Sequence, residues 1–158
     1  MTKLHLNQRP LNAVPRFYPP DVFISLVTKI EGLIGAGQCS AVELVKEEID
    51  AVGTPELRVW AKKNPALFVT LDPLVQTEAA NIESKYPDLM DPKSLHQSAD
   101  AYVIALAKVK GGTVVSQETS ASEKKSAKRT HYIPDVCRDL GIPCINLLGL
   151  MRREHWTF

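Results

Sequence analysis

The sequence has no apolar run long enough to cross a bilayer as a helix. Its first residues, MTKLHLNQRPLNAV, place an arginine, a proline and several polar side chains where a signal peptide needs an unbroken apolar segment. We therefore expect a protein that has no membrane partner and is not exported. A cytoplasmic location is predicted.

Patterns typical of disulfide frameworks and of zinc or histidine metal sites are also missing. The chain has three cysteines, an odd number with no C-x-x-C pair: Cys39, Cys137 and Cys144. Its four histidines include no H-x-x-x-H pair: His5, His96, His131 and His155. We expect reduced thiols in the core and no histidine-based metal site.

The sequence also lacks an excess of charge of either sign. The 19 basic and 18 acidic side chains leave a formal charge of +1, which excludes a generally basic nucleic-acid-binding surface but permits a local basic patch. A chain of 158 residues with 44% hydrophobic content can bury the core of one compact domain. We expect residues 1–158 to form a single domain.

The first part of the chain has mainly helical periodicity. The segment PPDVFISLVTKIEGLIGAG predicts an amphipathic helix between Pro19 and Gly37. The segment SAVELVKEEIDAVG predicts a second helix, with Ser40 as its N-cap, Glu43 completing a capping box and Gly53 as its end. A third short helix is predicted for TPELRVWAKKNP.

Helices and strands then alternate. The pattern predicts a strand at residues 66–71 (ALFVTL), a helix in DPLVQTEAANIESKYP, a polar connection in PDLMDPKSLHQ and a helix in SADAYVIALAKVKGG. It continues with strand TVVSQE, helix IPDVCRDLG, strand IPCINL and a closing helix in LLGLMRREHW. Strands separated by helices indicate an α/β domain whose parallel sheet is covered on both faces. Such sheets bind ligands beyond the carboxyl ends of their strands.

Glu48 departs from the polar face of its predicted helix. Side chains advance by about 100° per residue along a helix, which puts Glu43, Glu47 and Asp50 on the polar side but Glu48 at the margin of the apolar side. A partly buried carboxylate needs a partner. Glu48 is therefore either a site residue or a boundary glutamate whose aliphatic stem lies on the core.

Two further carboxylates occupy informative places. Asp100 is the one acidic residue of a helix that is apolar nearly all round, and it is either a site residue or a first-turn cap. Glu118 ends the predicted strand TVVSQE, at the edge where α/β sheets bind ligands, although a glutamate there is common without function. Carboxylates from three separate elements suit Mg²⁺ or Mn²⁺, which activate water for phosphodiester hydrolysis.

A basic loop follows Glu118. It contains one acidic residue, Glu123, and four cations: Lys124, Lys125, Lys128 and Arg129. Its place beside the three carboxylates predicts contacts with substrate phosphates, which position a nucleic acid without reading its bases. The alternative is an ordinary solvated surface.

Several segments resemble PIN-like domains. SADAYVIALAKVKGGTVVSQE is similar to the PIN pattern in which Ala-Asp opens a helix and a Val-Val-Thr-x-acidic strand follows. FYPPDVF and IPDVCRDLGIPCINLLGLMRRE resemble a PIN-like branch that is related to the VapC toxins and catalogued mainly as a domain of unknown function. The resemblance covers about residues 17–158. It implies a three-layer α/β/α domain with a mainly parallel central sheet.

The resemblance also implies a function. Glu48, Asp100 and Glu118 match the family's metal-binding positions, which implies an Mg²⁺- or Mn²⁺-dependent endoribonuclease of toxin type. RNA would be its substrate, and a cognate antitoxin and a second copy of the chain would be its protein partners. Two alternatives stay open: a degenerate PIN domain that binds RNA or a protein without cleavage, and a phosphatase or another small-molecule phosphotransfer enzyme.

One PIN feature is missing from the sequence. PIN proteins carry a first aspartate at the end of the opening strand, but no acidic residue precedes Asp21 here, and the equivalent spacing leads to Leu6–Asn7. Residues 1–16 are therefore predicted to be a divergent N-terminal segment, and weak metal affinity is expected. This segment lies either outside the sheet or in it, as a short parallel strand near residues 3–6 beside the strand that precedes Glu118.

Overall fold

A fully parallel five-stranded sheet forms the centre of the domain. The computed structural model describes residues 3–91 and 98–158 of the chain. The strand order is β3-β2-β1-β4-β5, and every neighbouring pair is parallel. The strands are β1 (Leu4–Leu6), β2 (Cys39–Val42), β3 (Phe68–Val69), β4 (Thr113–Val115) and β5 (Cys144–Ile145).

Helices cover both faces of this sheet. In the described residues they are α1 (Gln8–Phe17), α2 (Leu26–Gly35), α3 (Glu43–Val52), α4 (Pro55–Lys63), α5 (Pro73–Lys85), α6 (Asp100–Lys110), α7 (Ile133–Leu140) and α8 (Leu147–Arg153). Helix α3 contacts α1 and α4, whereas α6 contacts α5 and α7. The α/β class and the three-layer arrangement with a parallel central sheet are therefore confirmed.

The N-terminal segment supplies the central strand. Strand β1 pairs with β2 on one side and with β4 on the other, with Leu4 opposite both Cys39 and Thr113. Leu4, His5 and Leu6 are all buried, because helices cover both faces of the sheet at its centre. Of the two arrangements expected for this segment, the strand within the sheet is the one observed.

The helix predicted from Ser40 begins three residues later. Residues 39–42 form β2, where Ala41 and Val42 are fully buried and pair with β3. Ser40 is not an N-cap, and its Oγ lies 2.9 Å from Nδ1 of the buried His5 in β1. Pairing within the sheet has overridden the local capping pattern. The predicted end of this helix at Gly53 is confirmed.

Three other elements are shorter than the sequence pattern predicts. Residues 19–25 form turns before α2, with the backbone N–H groups of Val22 and Phe23 both donating to the carbonyl of Pro19. A 3-10 helix at Pro65–Leu67 shortens the strand predicted at residues 66–71. Strand β4 ends at Val115, so Glu118 lies in the loop beyond it.

Helix α6 is the buried centre of its layer, as its all-round apolar sequence predicts. Six of its residues are buried: Ala101, Val103, Ile104, Ala105, Leu106 and Ala107. It packs against α5 and touches the three strands β1, β2 and β4. This packing places Asp100, the first residue of α6, near the central strands.

Two remaining predictions concern thiols and the polar connection. The three cysteines are free, with Cys39 and Cys137 buried and Cys144 half-buried. The 92–97 part of the predicted connection, with His96, lies outside the described residues. No helix in the described part of the chain is both long and apolar enough to span a membrane.

Candidate carboxylate site

The candidate site lies where β1 and β4 end side by side. Asn7 directly follows β1, and its backbone N–H donates to the carbonyl of Val115 at the end of β4, at 3.4 Å. Asn7 and Ser116 are both almost completely buried. Because parallel strands end at the same edge, the residues that follow β1 and β4 meet there.

Glu48 links the two helical layers at this edge. Its carboxylate oxygen Oε1 accepts a hydrogen bond of 2.7 Å from the backbone N–H of Ala99, which immediately precedes α6. Glu48 is half-buried, as its place at the margin of the apolar face predicts. The α3 carboxylate is therefore held against the N-terminal end of α6, next to Asp100.

The surroundings of Asp100 raise its pKa strongly. Burial, the largest effect, and the negative charges of Glu118 and Glu48 together raise the pKa of Asp100 to about 7, against the opposing effect of Arg9 and Arg129. The three carboxylates predicted from the sequence thus influence one another electrostatically. A cluster of this kind favours any bound cation, because a cation offsets their mutual repulsion.

Glu118 is buried and held by two donors from other elements. Its Oε1 accepts a hydrogen bond of 2.9 Å from the backbone N–H of Ile133, the first residue of α7. Its Oε2 lies 3.3 Å from Nε of Arg9. The N-terminal end of a helix and a guanidinium both interact favourably with a negative charge, and these two contacts hold the Glu118 side chain in place.

Arg9 is the site residue that the sequence patterns missed. It lies in the first turn of α1, and 60% of its side chain is exposed although its partner Glu118 is only 3% exposed. The sequence does contain a signal for Arg9, because a basic residue two positions after Asn7 must lie near the carboxyl edge of the sheet if residues 4–6 form a strand. This signal can be used only once β1 is recognised as a strand.

Asn7, at the position to which the PIN-like spacing leads, is buried at the end of β1. Its side-chain oxygen Oδ1 is buried and has no hydrogen-bond partner among the described residues. Asn7 is the N-cap of α1, but its side chain makes no capping hydrogen bond. An unpaired buried oxygen is costly, and this one is a neutral oxygen at the edge of the sheet where β1 and β4 end.

The side-chain oxygens at this edge are chemically suited to a hard cation, but protein N–H groups already hydrogen-bond to some of them. Asn7, Glu48, Asp100 and Glu118 offer only oxygen, the preferred ligand of Mg²⁺ and Mn²⁺. Within residues 3–91 and 98–158, however, no three Asp, Glu, His or Cys side chains are arranged to hold a metal ion together. The hydrogen bonds and the ion pair described above hold Glu48 and Glu118 in this arrangement.

The basic loop divides into anchored and exposed cations. The Nζ of Lys124 and the Cζ of Arg129 each lie 4.4 Å from the ring centroid of Tyr132, and Arg129 also donates to the carbonyl of Leu89. Lys125 and Lys128 are exposed. The two exposed lysines are therefore the more available contacts for a substrate phosphate.

Asp88 fixes the end of this loop. Its carboxylate accepts hydrogen bonds from the backbone N–H groups of Thr130 and His131, from the hydroxyl of Thr130 and from the His131 ring. Although burial opposes it, this bonding holds the pKa of Asp88 well below its usual range. The loop is thereby tied to the turn that follows α5.

The family match spans nearly all of this architecture. The sequence profile of the family described as "Domain of unknown function (DUF4411)" matches residues 10–158. No curated protein matches the chain.

Proposed function

We propose that this chain, which belongs to the DUF4411 family, is a PIN-like ribonuclease that depends on Mg²⁺ or Mn²⁺. One observation carries the proposal. Carboxylates from α3, α6 and the loop after β4 are close enough at the carboxyl edge of the sheet for Glu118 and Glu48 to raise the pKa of Asp100. Clustered carboxylates with perturbed pKa values are typical of functional sites.

The proposed roles follow from the environment of each residue. Glu48, Asp100 and Glu118 would hold the cation, and the unpaired Oδ1 of Asn7 would be a neutral fourth oxygen. When bound, the cation would supply an activated water and offset the charge on a phosphodiester. Asp100 has a pKa of about 7 without a cation, so cation binding must also displace its proton near neutral pH.

RNA would be positioned by cations around the carboxylates. Lys125 and Lys128 are exposed on the loop, and the exposed Arg9 lies beside Glu118. Such contacts act on phosphates and carry no sequence information. They are consistent with a cytoplasmic enzyme that cleaves RNA, as in toxins of the PIN type.

The second candidate function is binding without cleavage. It is favoured by Asn7, which replaces a charged ligand with a neutral one, and by the ion pair of Arg9 with Glu118, which supplies a positive charge without a metal. In this case the domain would bind RNA, or a protein partner such as an antitoxin or a second copy of the chain.

A protein partner has one structural observation in its favour. Phe17, Val22 and Ile24 are exposed apolar side chains in one short segment. The segment borders an apolar cavity of about 230 Å³ whose lining includes Leu11, Val14, Pro15, Val27, Ile30 and Trp60. Exposed apolar surface beside a cavity is typical of interaction sites.

Calorimetric titration with Mn²⁺ and a cleavage assay on structured RNA test these proposals together. The wild type should bind Mn²⁺ and cleave, Asp100→Asn should lose both, and Asp139→Asn, which changes an exposed aspartate of α7, should lose neither. Mn²⁺ binding without cleavage would favour the second candidate. Cleavage that persists in Asp100→Asn would refute the site assignment.

A further inference from the structure

Arg9 and the proposed cation would share one carboxylate. The Nε of Arg9 lies 3.3 Å from Oε2 of Glu118, and the other oxygen of this carboxylate accepts the backbone N–H of Ile133. Both oxygens therefore have a protein donor. A cation that binds Glu118 must approach an oxygen that already contacts a positive charge or a helix N-terminus.

The contact with Arg9 is the easier of the two to break. The N–H of Ile133 belongs to the backbone of α7 and cannot leave without moving the helix. The Arg9 side chain is flexible and 60% exposed, although Glu118 is only 3% exposed, so water can solvate the guanidinium when it leaves the carboxylate. Rotation of Arg9 into solvent leaves the core unchanged.

We propose that Arg9 is a built-in competitor of the divalent cation, which must displace its guanidinium from Glu118 in order to bind. This inference rests on the proposed function, since it concerns the same carboxylates. Without a cation, Arg9 offsets part of the negative charge at the site. The displaced guanidinium stays beside the site, where it can contact a substrate phosphate.

The competition explains the arrangement of the donor atoms. The described residues contain no carboxylate group already arranged around an ion, although Glu118 and Glu48 both act on Asp100. While Arg9 contacts Oε2 of Glu118, that oxygen is occupied, and the observed arrangement is the one expected of the cation-free protein. Asn7 Oδ1, which is buried and has no hydrogen-bond partner among the described residues, is then an oxygen that remains available to the cation.

Titration of the EDTA-treated full chain with Mn²⁺, followed by calorimetry, tests the proposal. Arg9→Gln should bind Mn²⁺ about five- to tenfold more tightly than the wild type, because a unit charge next to a divalent ion opposes binding by about this amount in a high dielectric. Arg9→Lys, which keeps the charge, should stay near the wild type. Arg16→Gln is the matched control, since it removes an exposed cation from the other end of α1.

Thermal unfolding gives a second readout. In EDTA, Arg9→Gln should lower Tm slightly, because Glu118 loses its counter-ion, and the rise in Tm on adding Mn²⁺ should exceed that of the wild type. Equal or weaker Mn²⁺ binding by Arg9→Gln would overturn the competition while leaving the metal site intact. Absence of Mn²⁺ binding in every variant would overturn the proposed function and the competition with it.

Discussion

Replacing Asp100 by asparagine should stabilise the metal-free protein, and the gain should depend on pH. Folding raises the pKa of this carboxyl group from 3.8 to about 7. Because each pKa unit corresponds to about 1.4 kcal/mol, ionised Asp100 lowers the free energy of unfolding by up to about 4 kcal/mol at pH 8. Asparagine keeps the shape and cannot ionise, so Asp100→Asn should recover most of this free energy.

The direction of the pH dependence follows from proton binding. Between pH 4 and 7 the folded protein retains a proton on Asp100 that the unfolded chain has lost, so stability falls as the pH rises. Below pH 4 both states are protonated and the effect is absent. Above pH 7 the effect is complete. The difference between Asp100→Asn and the wild type should therefore be small at pH 4.5 and largest at pH 8.

Urea unfolding in EDTA at pH 4.5, 6 and 8 measures this difference. For a chain of this length a gain of about 4 kcal/mol corresponds to a rise in Tm of about 10 °C at pH 8. Asp139→Asn on the exposed face of α7 is the control and should show no such trend. A stability difference that does not change with pH, or a loss of stability at pH 8, would refute the buried cluster around Asp100.

Three further changes test other parts of the structure. Replacing Lys125 and Lys128 together by glutamine should reduce the slope of log affinity for single-stranded RNA against log salt by roughly 1.4, because each lost phosphate contact contributes about 0.7. His5→Gln should flatten the loss of stability between pH 6.5 and 4, because burial lowers the pKa of His5 to about 4 and its protonation opposes folding by about 3 kcal/mol. Asn7→Asp should strengthen Mn²⁺ binding about tenfold, measured by calorimetry, because it adds a charged ligand.

Each of these changes has an internal check. Replacement of Lys62 and Lys63, an exposed pair on α4, should leave the salt dependence of RNA binding unchanged, and an equal effect of both pairs would assign the loop to general surface charge. The His5 prediction fails if the acid limb of the stability curve is the same in the variant. Weaker Mn²⁺ binding by Asn7→Asp would place Asn7 outside the cation site.

Asp100 and its helix were predictable because one local pattern determines both. A helix that is apolar nearly all round must be buried, and its single acidic residue must then have a polar environment. The observed burial of α6 and the perturbed pKa of Asp100 agree with this. Glu48 was found in the same way, from its angular position in α3.

Strands β1 and β2 were not predictable from local pattern. Strand β1 consists of a histidine between two leucines, all three of them buried. The polar residues on either side give this short segment no hydrophobic pattern typical of a buried strand. Strand β2 begins like a helix N-terminus, with Ser40 followed by Glu43. Both become strands through pairing with distant residues, which short-range propensity does not contain. Arg9 was missed for the same reason, since its place depends on β1.

The effect of Asn7→Asp should also depend on Arg9. The new carboxylate would lie two residues before Arg9 and at the same edge of the sheet as Glu118, so it would attract the guanidinium as well as the cation. Part of the gain in Mn²⁺ affinity would then be lost to stronger competition. In the Arg9→Gln background that competitor is gone, and Asn7→Asp should strengthen Mn²⁺ binding more than it does in the wild type. A double-mutant cycle, measured calorimetrically, gives the coupling between the two positions. Strictly additive changes would show that the two side chains act on the cation independently, which contradicts competition at a shared site.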